Sequence, residues 1–260
     1  MDTSKKYTVP ALEKAIAIIE TLFKHDEPIG VSELCKMVDI PKTSVFFILN
    51  TLDHHEYITK TEDGKYKLGT KFLTIGLTQL SKIEIRELAR PLMDKLLRET
   101  GFTVHLAVLD NGEAMYLEKV ESGKFVKFST YVGQRLPLHA SGVGKAMAAY
   151  IPDDRLDQIL ETRGMPQKTE NTITNAADFK KALDVIRKQG YSTEDEEGEL
   201  GIRCIGSAIF DHTKQLKAAI SITGLRTDMP IQQIPALGAL VNQAAQDISR
   251  RLGFPQQVEA

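Results

Sequence analysis

Residues 41–69 read PKTSVFFILNTLDHHEYITKTEDGKYKLG, and their patterning decides the architecture of the first part of the chain. Pro41 suits the opening turn of a helix. Val45, Ile48, Leu49 and Leu52 follow at helical spacing. At about 100° per residue, Thr43, Phe47 and Asn50 fall on the opposite side, with Lys42, Ser44 and Phe46 on the flanks. A short β-rich run, an Asp63-Gly64 turn and an alternating run through Tyr66 and Leu68 then predict a hairpin. Upstream, Ala11–Lys24 carries Leu12, Ala15, Ile16, Ile19, Leu22 and Phe23 at spacings of three and four and reads as a helix with those residues inward. Ser32 can cap a second short helix facing inward through Leu34, Cys35 and Val38, which Asp39-Ile40-Pro41 breaks. Three short helices and a hairpin, over 9–69, are the order of a winged helix-turn-helix.

Such a unit lays one helix in the major groove and its hairpin along the neighbouring phosphates. Lys42, Thr43 and Ser44 at the start of the third helix suit phosphate, as do amides there. Phe47 and Asn50, with Phe46 and Ser32 beside them, face duplex DNA, where an aromatic surface can meet thymine methyl groups. From Met1 to Ile85 there is no arginine. Lys36, Lys42, Lys60, Lys65 and Lys67 are therefore expected to make the phosphate contacts, with Tyr66 among them on the hairpin. The competing reading is that Phe46 and Phe47 are core or subunit contacts.

The chain has 260 residues, enough for two compact units, and its 42% hydrophobic and 26% charged content is that of an ordinary globular protein. A net charge of −2 argues against an indiscriminate polyanion binder. Cys35 and Cys204, far apart, form neither a disulfide framework nor a metal-ligand spacing. With no secretion signal and no apolar run of membrane-spanning length, a cytoplasmic protein is expected, without membrane partners, metal or cofactor.

Residues 70–100 are helical in pattern, interrupted near Ser81 and at Pro91. Their surplus of apolar positions in 70–82 predicts a linker packed against a second copy of the chain. From Phe102 the period drops to two, in TVHLAVL, a DNGE turn, AMYLEKV and FVKFST. Later come the helix ALDVIRKQ ending at Gly190, the strands GIRCIGSAIFD and LKAAISIT, and a final helix over 231–252. An antiparallel sheet with separate helices makes 83–254 an α+β module and the whole chain α+β. Within VGQRLPLHASGVGKAMAAY, glycines at a helix start either let amides approach a carboxylate or phosphate or serve close packing, and the spacing is not that of a nucleotide-hydrolysing loop.

These segments together, from VPALEKAIAIIETL and IGVSELCKMVDIPKTSV through DGKYKLG to RLPLHASGVGKA, EEGELGIRCIG and AAISITG, resemble the IclR family of bacterial transcription regulators over nearly the whole chain. The resemblance implies a winged helix-turn-helix, a linker helix used in dimerisation and a GAF-like effector domain, acting as a homodimer or dimer of dimers on an operator. It also implies an effector pocket at Leu138, Ser141, Gly142, Val143, the acidic stretch Glu194, Asp195, Glu196 and Glu197, and Cys204, Ser221 and Thr223. Hydroxyls there suit a small organic acid, and the acidic residues can accept from its hydroxyls. The family regulates in both directions, with repression the expected one here. Relatives commonly place a basic residue where this chain has Phe47. The rival reading is an enzyme with Cys204 as nucleophile and His105 or His139 as base, and a lesser one is a metal site from His105, His139 and Cys204. Neither has a supporting spacing.

Overall fold

The computed structural model describes residues 8–255 apart from 83, 122 and 124–126. It divides into two compact units after Lys82. The first contains α1 (Pro10–Phe23), α2 (Val31–Val38), α3 (Lys42–His54), a hairpin of β1 (Ile58–Lys60) and β2 (Tyr66–Leu68), and α4 (Lys71–Lys82). Ile18, Leu22, Ile29, Leu34, Val45, Leu49, Ile58 and Tyr66 close its core. Asp39, in the left-handed region at φ 50°, turns the chain between α2 and α3. Gly64 does the same at φ 81° in the hairpin.

Three expectations change here. The inward stripe of α1 is centred on Ile18 and Leu22, while Leu12, Ile16 and Phe23 form an adjoining exposed apolar face. Helix α2 starts at Val31 behind Gly30, so Ser32 is an exposed first-turn residue and not the cap. Tyr66 is only 4% exposed, because β2 alternates and because Tyr66 also bridges to Ile29, adding a third segment to the hairpin. It therefore leaves the DNA-facing set and joins the core. On α4, Leu73 and Ile75 are exposed, and the side chains of Leu77 and Leu80 lie outside the described residues.

The second unit is built on one antiparallel sheet of order β5-β4-β3-β8-β7-β6. Its strands are β3 (Thr103–Asp110), β4 (Glu113–Val120), β5 (Arg135–Leu136), β6 (Ser192–Asp195), β7 (Ile202–Phe210) and β8 (Leu216–Leu225). Asn111 and Gly112, both at positive φ, make the tight turn between β3 and β4. The helices are α5 (Ile85–Thr100), α6 (Gly142–Ala148), α7 (Asp153–Arg163), α8 (Ala176–Gln189) and α9 (Ile234–Arg251).

Strand alternation gives the sheet two unlike faces. Val104, Leu106, Ile205, Ile209, Ile220 and Ile222 pack on Met93 and Leu96 of α5 and on Val241, Ala245 and Ile248 of α9. Ala107, Tyr116 and Ala219 meet a second core with Val143 and Met147 of α6, Leu156 of α7 and Phe179 and Leu183 of α8. The sequence predicts an interruption at Pro91, but α5 runs through it without a break. Ala89, Leu92 and Met93 around it are all buried, and that packing offsets the hydrogen bond a proline removes. FVKFST is not a strand over 127–130, and 125 and 126 lie outside the described residues. The Phe128 and Thr130 carbonyls instead accept from Lys119 Nζ, each at 2.8 Å, and so are not free for a strand partner.

Candidate functional site

The first unit presents α3. Val45 and Leu49 anchor it and Ile48 and Leu52 are half-buried, which turns Lys42, Thr43, Phe46, Phe47 and Asn50 to the surface and leaves Ser44 half-buried. Phe46 and Phe47 are 51% and 65% exposed and meet edge to face at 6.1 Å, so neither ring is core. No side chain caps α3, whose N-cap is Pro41, so its first-turn amides have no capping side chain. Lys36, Lys60, Lys65 and Lys67 are exposed. Lys60 lies over the Tyr66 ring at 5.9 Å, so the buried tyrosine supports a cation that it cannot replace. Lys65 pairs with Asp63 at 3.2 Å on the surface, a contact solvent screens.

In the second unit, register builds a polar band on the face that carries α6. Glu194, Cys204, Thr223 and Thr103 stand opposite one another across β6, β7, β8 and β3. One step along the strands, Ser192, Gly206, Ser221, His105 and Lys119 form the adjacent row. Glu194, His105, Ser221 and Thr223 are buried, whereas Cys204 among them keeps accessible surface. The band is wired. Cys204 Sγ and Thr223 Oγ1 share a hydrogen bond at 3.3 Å, Thr223 Oγ1 reaches His105 Nδ1 at 3.3 Å, and His105 Nε2 meets Thr130 Oγ1 at 2.8 Å. Tyr116 stacks on His105 at 4.4 Å.

Burial sets the ionisation of this band. It depresses His105 to about 3, helped by the Lys119 charge, so the ring is neutral at physiological pH. It raises Glu194, although the Glu197 and Gly198 amides donate to Glu194 Oε1 at 2.7 and 2.9 Å. It also pushes the Cys204 thiol well up, with the Glu194 charge adding to the effect. A protonated thiol joined to a non-basic imidazole only through a threonine is a hydrogen-bonding surface and not a nucleophile–base pair. His139 lies apart from this wiring, with Nε2 on the Pro166 carbonyl at 3.1 Å. Among the described residues no group of three or more His, Cys, Asp and Glu is placed to hold a metal.

Leu138, Ser141, Gly142 and Val143 are buried in and before α6, beside the band. Close packing by itself requires these glycines. A Cβ on Gly142 would stand 2.8 Å from that of Cys204, and one on Gly206 would stand 2.7 Å from the Gly142 carbonyl oxygen. The Gly144 amide already donates to Ser141 Oγ at 3.2 Å.

Asp195 does not join the band. It alternates to the other side of β6 and pairs through both carboxylate oxygens with buried Arg203, at 3.0 and 2.7 Å; Arg203 also donates to the Met229 carbonyl. Of the rest of that acidic stretch, Glu196 pairs with Arg226 at 2.7 Å, whereas Glu197 is buried, with Oε1 accepting from Lys145 Nζ at 2.6 Å. His105, Lys119, Lys145 and Thr130 are the site residues that sequence reasoning did not assign to the pocket. The period-two placement of His105 two residues from Thr103 was the signal available for it. The Lys145–Glu197 pair, 52 residues apart, left none.

Two family profiles match the chain: residues 11–62 fit "IclR helix-turn-helix domain" and residues 77–250 fit "Bacterial transcriptional regulator IclR C-terminal". The HTH-type transcriptional regulator XynR of Escherichia coli is 31% identical over 95% of this chain and 98% of its own. The E. coli HTH-type transcriptional repressor AllR is 32% identical over 94% and 90%. The crystal structure of the Agobacterium tumefaciens repressor BlcR superposes with a TM-score of 0.88 at 24% identity, covering 96% of this chain and 99% of that one.

Proposed function

The chain belongs to the IclR family of DNA-binding transcriptional regulators, which are not enzymes, and from that premise we propose that it is a repressor switched by a small carboxylate or sugar acid bound on the polar band of its second unit. The observation that carries this reading is the band itself. Glu194, Cys204, Thr223, Ser221 and His105 place hydrogen-bonding groups in the middle of a buried sheet, next to accessible surface at Cys204. Buried polar groups without a structural need are the mark of a ligand site. Ser221, Thr223 and the Cys204 thiol offer donors to a carboxylate, and Leu138 and Val143 form an apolar wall, while the Lys119 charge on the same face is already paired with Glu121 at 2.8 Å.

On this reading 9–69 reads the operator, 70–82 links, and 83–254 senses. Ser32, Lys36, Lys42, Thr43, Ser44, Phe46, Phe47, Asn50, Lys60, Lys65 and Lys67 form the DNA face. The protein acts in the cytoplasm as a homodimer or dimer of dimers, with half-sites about 34 Å apart on the duplex. The exposed Leu12, Ile16 and Phe23 of α1 and Leu73 and Ile75 of α4 support a second copy there, since apolar faces of that kind seek cover. The relative AllR is a repressor, which supports the negative sign of control. Footprinting of the upstream region of its own gene, repeated with a panel of small organic acids, tests the proposal. One acid should weaken protection of a symmetric site. Protection that no acid changes would sink the switch.

A further inference from the structure

Glu197 is held from three sides. Its amide donates to Glu194 Oε1 at 2.7 Å, its carbonyl accepts from Thr172 Oγ1 at 2.7 Å, and its Oε1 accepts from Lys145 Nζ at 2.6 Å. Lys145 is itself fixed, because α6 is pressed against β7 where Gly142 meets Cys204. The residue is thus held against Glu194 through its backbone, and the charge of its carboxylate acts on Glu194 and on the Cys204 thiol. The second oxygen of that carboxylate, Oε2, is buried and has no hydrogen-bond partner among the described residues.

A carboxylate accepts only, and an unmatched buried anionic oxygen calls for a donor. We propose that Glu197, positioned by Lys145, is the specificity-determining residue of the effector site and accepts a hydrogen bond from a hydroxyl of the effector, so that the site selects hydroxylated carboxylic acids over their deoxy counterparts. This rests on the proposed carboxylate-binding role of the polar band. It also resolves the acidity of a site meant for an acid. The effector's carboxylate goes to the hydroxyls of Ser221 and Thr223, and its hydroxyl end goes to Glu197, where a bare carboxylate would meet only repulsion.

The test measures binding of matched probes to the full chain by calorimetry: glycerate against propionate, and gluconate against hexanoate. The expected result is at least tenfold tighter binding of one hydroxy acid than of its partner. That ratio should fall to below about threefold in a K145M/E197M double variant, in which both charges are replaced together so that neither is left buried alone. E197Q, which keeps shape and removes the charge, serves as the second variant, and the ratio should fall there as well. A ratio that survives in variants with cooperative melting overturns the assignment to Glu197 while leaving the carboxylate site standing. Failure of all four probes to bind overturns the carboxylate site and the assignment with it.

Discussion

Glu194 and Asp195 are neighbours in sequence and opposites in the fold. Glu194 is buried and faces Cys204, whereas Asp195 points across the strand to Arg203 and its side chain is 35% exposed. One carboxylate therefore belongs to the candidate site and the other to the frame. Removing Asp195 strands a buried guanidinium. D195A should cost about 3 kcal/mol of unfolding free energy, with the order of effector preferences unchanged. Denaturant melts and ligand titration on the same variant separate the two effects, and a changed preference order would place Asp195 back in the site.

Glu194 gives a pH signature. Burial raises its pKa above the usual carboxylate value of 4.5, so ionisation is harder in the folded chain than in the unfolded one. The sign follows: the fold loses stability as pH rises from about 4.5 through the raised value. E194Q retains an acceptor for the Glu197 and Gly198 amides and removes the ionisation. It should match the parent at pH 4 and exceed it in urea midpoint at pH 7. A variant weaker at both values would contradict the burial account.

His105 runs the other way. With its folded pKa at about 3 against an ordinary 6.5, the unfolded chain takes up a proton that the fold refuses. Stability is full above pH 6.5 and drains as pH falls towards 3, by about 1.4 kcal/mol per unit and about 5 kcal/mol in all. H105Q, which cannot titrate, should be less stable at pH 7.5 because hydrogen bonds to Thr223 and Thr130 are disturbed. The gap should narrow by about 2 kcal/mol by pH 5. Parallel stability curves for the two proteins would show that His105 is not the neutral ring described.

How far the chain could be read without its structure depends on the range of the interactions involved. Val45 and Leu49 of α3, the Asp63-Gly64 hairpin and the strands through Cys204 and Ser221 follow from periodicity, which is local. Leu12, Ile16 and Phe23 looked inward because a helix with two apolar faces does not reveal which one its neighbours cover. Pro91 looked like a break because the packing of Ala89 and Met93 that carries α5 past it comes from distant elements. Asp195 was misplaced for want of β6, a four-residue strand too short to announce its alternation. Tyr66 went to the surface for the same reason, since its bridge to Ile29 is invisible in the hairpin's own pattern. The Lys145–Glu197 pair is a contact of the tertiary fold alone.

The exposed apolar face of α1 makes a separate claim on oligomeric state. If Leu12, Ile16 and Phe23 meet a second copy, then L12E/F23E should weaken association and raise the monomer fraction in sedimentation at micromolar concentration. Both substitutions lie on exposed residues, outside the buried core of Ile18, Leu22, Val45 and Leu49, so cooperative melting of the first unit should persist. A variant that sediments as the parent does would assign this face to some other contact.

The DNA face separates into charge and shape, and salt tells them apart. Lys42 and Lys67 are exposed, and on the proposed reading each meets a phosphate. K42A/K67A should lower the slope of log affinity against log salt by about 2, and the loss should be alike on operator and unrelated duplex. Phe47 brings no charge. F47A should leave the slope unchanged and lose about 1 kcal/mol on the operator only, with the loss removed when the thymine it meets is replaced by uracil, which lacks the methyl group. Fluorescence anisotropy from 50 to 200 mM salt reads both quantities, the range over which counterion release dominates. On the proposed reading, a chain of net charge −2 does not hold a duplex by overall attraction, so the lysines would set how tightly it rests on any DNA and the aromatic pair where it stops. A slope change in F47A, or equal losses on both duplexes, would remove Phe47 from base recognition and return it to packing between subunits.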